Sequence, residues 1–175
     1  MLVRGHYCEA KSGVLLSEEH LEDDVEKAIE SISSSQIEVE YVPGRLFTAI
    51  FQGASLLSFN AMLNFDPRTG ELRRYRAACH HAAERAVSLA EQQFDCERTA
   101  LPGRLSVSLY RSGVESLDND EMPAACKFLI DGFKMAGLLQ EGDSSHIMSF
   151  DTLMQRCGIG EPASICITFR RAYKS

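Results

Sequence analysis

Ala125, Phe128, Leu129, Gly132, Phe133 and Ala136 recur at i, i+3, i+4, i+7, i+8 and i+11. That spacing predicts one continuous apolar stripe on a helix opening at Pro123 and stopping at Gly137. A helix apolar on one side has to lay its stripe on another layer, so the rest of the chain must supply one. It offers strands. LFTAIF at 46–51 reads as a buried strand, Leu105, Val107 and Leu109 alternate with serines, HIMSF at 146–150 reads as a strand, and Ile165, Ile167 and Phe169 share one side of a further one. A second helix is expected from about Leu72 to Phe94, with Tyr75, Cys79, Ala82, Ala83, Ala86, Leu89 and Ala90 as its stripe, after a long connection over 53–72. The order β, α, β, α, β, β predicts an α/β (α+β) fold with a mixed β-sheet flanked by helices.

Ahead of this body lies an acidic stretch. Residues 1–44 hold ten acids and three bases, which accounts for the whole net charge of −7. They are expected to form an N-terminal extension, a helix from Ser17 to about Ile32 followed by a strand at Ile37, Val39 and Tyr41, with residues 45–175 as the main domain. That domain carries 15 acids and 15 bases, and RRYR at 73–76 and FRR at 169–171 gather some of its bases. A neutral body with clustered arginines remains compatible with nucleic acid, which the net charge alone would argue against. No apolar run approaches the ~18 residues of a membrane span, and MLVRGHYCEAK has no apolar signal core. The six cysteines include no C-x-x-C pair. Free thiols in a reducing, cytoplasmic setting are therefore expected.

The chemistry-bearing stretch is 116–143, SLDNDEMPAACKFLIDGFKMAGLLQEGD. Asp118 and Asp120, at i and i+2 beyond a strand, project to one face if the chain stays extended. Paired carboxylates invite a hard cation, and Mg²⁺ (or Mn²⁺) suits oxygen ligands while keeping sites for phosphate oxygens. Lys127, Asp131 and Lys134 occupy the polar side of the following helix, and Glu141 and Asp143 come after its stop. Because the helix reverses the chain, this second acidic pair is expected to return towards the first. Such a set could cleave a phosphodiester, the metal activating water and the lysine offsetting phosphoryl charge.

This block resembles the RusA family of Holliday-junction resolvases. Their pattern of D-x-D-N, a lysine with a following D-G, and an acidic pair falls on Asp118-Asn119-Asp120-Glu121, on Lys127 with Asp131-Gly132, and on Gln140-Glu141-Gly142-Asp143. Residues 46–94 follow the upstream part loosely. The resemblance implies a RusA-like fold and a homodimeric, Mg²⁺-dependent endonuclease of recombination and repair, of phage or bacterial type, that acts on branched DNA. It further implies Asp118, Asp120 and Glu141 as metal ligands, Asp143 as an alternative or outer ligand, and Lys127 at the phosphate. The chain differs where Glu121 replaces asparagine, where Gln140-Glu141 replaces an aspartate pair, and where Ser58–Met62 lack an arginine.

Plainer readings stand beside these. Asp118-Asn119-Asp120 could be a turn. Asp131 could pair with Lys127 at i, i+4. Cys79-His80-His81 cannot chelate one ion well, because neighbours on a helix diverge by about 100°, and His146 could be a surface histidine. The alternative to a nuclease is a RusA-fold protein without catalysis that binds DNA or protein.

Overall fold

The computed structural model describes residues 18–63, 70–114, 116–117, 121–139 and 148–172. Five strands make one mixed sheet: β1 (Gln36–Val42), β2 (Leu46–Gln52), β3 (Leu105–Gly113), β4 (Met148–Cys157) and β5 (Ser164–Arg171), in the order β1-β2-β5-β3-β4. Every neighbouring pair is antiparallel except β3–β4, which is parallel. The helices are α1 (Glu18–Ser34), α2 (Phe59–Leu63), α3 (Gly70–Gln93), α4 (Glu121–Ala125) and α5 (Lys127–Met135).

The strand alternation sends Phe47, Ala49, Phe51, Val107, Leu109, Ile165, Ile167 and Phe169 into the core. Phe133 of α5 sits among them, its ring 5.6 Å from Phe47, 5.2 Å from Phe169 and 6.3 Å from Phe51. This is the burial that the apolar stripe demanded. The opposite sheet face carries a cross-strand row of Ile50, Cys166, Tyr110 and Met154, next to a row in which Thr48 and Thr168 meet at 3.1 Å.

The expected extension shares this core. Val25, Ala28 and Ile32 of α1 and Tyr41 of β1 are buried, and β1 pairs with β2 along its whole length through the Pro43-Gly44 turn. Gly44 takes a positive φ of 66°, a region that glycine enters at little cost. No break in the core coincides with residue 44.

Three local differences from the expected elements have simple causes. The 53–72 connection contains α2, whose Ser58 hydroxyl accepts from the Ala61 N–H as a cap. The helix expected from Pro123 opens two residues earlier as α4. Its ladder continues into α5 through Cys126 N–H to Met122 O and Ile130 N–H to Cys126 O. The strand seen as 146–150 begins, among described residues, at Met148 and runs on to Cys157, because β3 offers it a full-length parallel neighbour.

Candidate active site

Asp118, Asp120, Glu141 and Asp143 lie outside the described residues, as do Gln140 and His146. Their flanks and Lys127 are described. Leu117, immediately before Asp118, is buried and clamped by Gln155 of β4. Its N–H donates to Oε1 at 3.0 Å, and its carbonyl accepts from Nε2 at 2.5 Å. Gln155 pairs in register with Arg111, so Leu117 is fixed near the carboxyl ends of the parallel pair β3–β4. Loops at such strand ends are where open α/β sheets commonly bind ligands.

The amino end of α5 lies at this same end of the sheet. Phe128 stacks edge-on against Tyr75 at 6.0 Å. The Tyr75 hydroxyl accepts from the Leu57 N–H, just past the end of β2 at Gln52, which is level with Ser164 and Ser112. Lys127, the first residue of α5, is exposed here. Arg76 of α3 places its guanidinium 5.9 Å from the Phe128 ring centre, a cation–π contact. Arg76 and Lys127, distant in sequence, are thus both at the first turn of α5, Arg76 over the Phe128 ring and Lys127 exposed on the preceding residue.

A third cation, Arg111, is only 7% exposed. It continues the inward series Leu105, Val107, Leu109, so the strand's period of two already marked it as a buried charge. Burial pushes the Cys126 thiol up to about 12, and the nearby Arg111 charge opposes part of that rise.

The other expected associations divide. Asp131 meets Lys134 at 3.5 Å rather than Lys127. RRYR splits: Arg74 turns to Glu26 of α1, while Arg76 joins α5. FRR lies at the opposite end of the sheet, with Arg170 level with Leu46 and Ser106. The flanks of Glu141 and Asp143 are at that end too: Leu139 bridges Leu101, and Met148 pairs with Leu105. From Leu105 to Arg111 is about 20 Å along the strand at ~3.3 Å per residue. Among the described residues no group of three or more His, Cys, Asp and Glu side chains could hold a metal ion. None of the described helices is long and apolar enough to cross a membrane.

His80 has its Nε2 shielded from solvent without a hydrogen-bond partner among the described residues. Burial lowers its pKa, with a smaller contribution from Arg76; Asp131 and Glu84 act the other way.

The molecule is an α+β protein built on one mixed five-stranded sheet. No family model and no curated protein matches the chain.

Proposed function

We propose that this protein is a Mg²⁺-dependent endonuclease acting on branched DNA, resolving Holliday junctions or related structures as a homodimer. The observation that carries the reading is that Arg76 and Lys127 both sit at the first turn of α5, at the end of the sheet where Leu117 leads into Asp118. A phosphodiester-cleaving site needs cations for the phosphate beside carboxylates for a metal, and Arg76 and Lys127 with the sequence Asp118-Asn119-Asp120 are residues of those types.

In this reading Asp118 and Asp120 hold the ion. Their oxygen donors suit Mg²⁺, and Mn²⁺ as a substitute. The ion, when bound, supplies Lewis acidity and a lowered pKa for the attacking water. Lys127 neutralises charge building on the phosphoryl oxygens, and Arg76 holds a neighbouring phosphate. Arg111, buried level with Gln155 near the carboxyl end of β3, adds a further positive charge. Glu141 lies two residues and Asp143 four residues beyond Leu139, at most about 7 and 14 Å of extended chain, a reach short of the length of β3 from its amino end.

That reach, with Glu121 and Gln140 in place of the family's residues, favours a second reading: a protein of the same fold that binds branched DNA without cutting it. Synthetic four-way junctions and linear duplex, each with Mg²⁺, Mn²⁺ or chelator, separate the two. The nuclease reading expects junction cleavage by the wild type. It expects none from Asp120→Asn, whose junction binding is retained or tighter because a negative charge facing phosphate is gone. Lys127→Ala, at an exposed position, should slow cleavage about 10²-fold or more. If wild type and Asp120→Asn bind junctions but neither cuts with either ion, the binding-module reading replaces it.

A further inference from the structure

The margin of the sheet far from this site carries a groove whose shape and charge specify a partner. β1 is an edge strand: among the described residues it pairs with β2 alone, so alternate residues present unpaired N–H and C=O groups outward along about 23 Å. Ile37 and Val39 face the helical layer only partly buried. Beside them runs the outer face of α3, where Arg85, Ser88, Leu89 and Gln92 recur at helical spacing. Together with Ile37 they line an open-sided cavity of about 420 Å³. One flank of the groove is closed by Arg85, whose guanidinium donates to the carbonyls of Ser33 at 2.8 Å and Ser35 at 3.3 Å.

The groove lining is balanced, with Arg85 against Glu84, which lies 3.6 Å from His81, whereas the other face of β1 is acidic, carrying Glu38 and Glu40. A strand added to β1 would set alternate side chains against Ile37 and Val39 and drop them towards Leu89, while those between them would lie beside Glu38 and Glu40. Apolar residues fit the first positions and basic residues the second.

A second copy of β1 is a poor occupant. Full antiparallel overlap would set Glu38 of one copy opposite Glu40 of the other, and like charges directly opposite destabilise a pair. Charged edges do protect sheets from self-pairing, but that role needs no cavity alongside. Nucleic acid is disfavoured by the same carboxylates.

We propose that β1 and the outer face of α3 form a docking groove for an extended segment of a partner protein in which apolar and basic residues alternate, bound by strand addition. The proposal is independent of the nuclease reading.

The test titrates the full chain with a fluorescein-labelled eight-residue peptide alternating valine and lysine. Two further versions carry methyl groups on one or the other alternate set of backbone amides, and a fourth alternates valine and glutamate. The expected result is binding of the valine–lysine peptide, with amide shifts concentrated at Gln36–Val42 and at Ser88 and Leu89. One methylated version should lose at least tenfold in affinity while the other keeps it. Ser88→Trp, which fills the groove from an exposed position, should cost at least tenfold. Glu38→Lys with Glu40→Lys should switch preference to the valine–glutamate peptide. Equal binding of both methylated versions would reduce the association to attraction by a chain of net charge −7 and overturn the proposal. Absence of binding, shifts mapping elsewhere, or dimerisation of the free protein abolished by Ser88→Trp would overturn it as well.

Discussion

Glu26 of α1 holds Arg74 of α3 by two bonds, 2.5 and 3.0 Å between guanidinium nitrogens and carboxylate oxygens. The acidic helix therefore occupies part of the basic run at 73–76. Both side chains are more than half exposed, so the pair contributes no more than about 1 kcal/mol to stability. Glu26→Gln is expected to leave the urea midpoint nearly unchanged. On the proposed function it should tighten junction binding at low salt, the gain shrinking as salt rises. Anisotropy titrations across a salt series measure this, and unchanged affinity would place Arg74 away from the DNA.

Truncation is a poor way to ask the same question. A chain beginning near Arg45 loses Val25, Ala28, Ile32 and Tyr41 from the core and strips β1 from β2. It is expected to aggregate on size-exclusion chromatography, because an apolar strand edge is left open. A monodisperse, cooperatively melting product would show that the core is closed without α1 and β1.

Gly132 sits at a close approach of α5 to α3. A β-carbon there would come within 2.8 Å of both Ala83 Cβ and His80 Cα. Since one of these is backbone, the helices would have to separate. Gly132→Ala should cost about 1–3 kcal/mol by overpacking, read as a lower urea midpoint with an unchanged slope. Gly137→Ala is the instructive contrast, because its obstacle is a positive φ of 81° rather than crowding.

His80 should make stability depend on pH. Its folded pKa lies below the ordinary 6.5, owing first to burial and then to Arg76. The unfolded chain therefore takes up the proton first. Stability is full above that ordinary value and falls as pH drops through it, until the folded imidazole also protonates. His80→Gln should flatten this slope in urea melts between about pH 5 and 7.5, and an unchanged slope would assign the dependence to other groups.

Thiol chemistry should sort the cysteines by burial. Cys79 and Cys126 are buried, and loss of solvation pushes both thiols up to about 12. Cys157 is exposed. A brief maleimide pulse at neutral pH, read by peptide mass spectrometry, should label Cys157 and spare Cys79 and Cys126 until denaturant is added. Early labelling of either would mean that the α3–α5 layer opens readily.

Periodicity carried most of the fold because each buried side chain obeys a local rule. The inward alternation of Leu105, Val107 and Leu109, and the stripe from Ala125 to Ala136, report which face is dry whatever they pack against. Pro123 and Gly137 bounded the second stripe closely for the same reason. The candidate carboxylates, Lys127 and the basic run of α3 were also legible, as residue types at a spacing. Partners were not. Within α5 Asp131 takes Lys134 at i+3 rather than Lys127, while the turn of Arg74 to Glu26 and of Arg76 to Phe128 follows from how α1 and α5 settle on α3. So does the membership of β1 in the sheet, which turns an apparent extension into part of the core. Spacing along a chain fixes the direction of a side chain relative to its own element. Which element waits on that side is decided only by tertiary packing, through the shape and volume of the shared core.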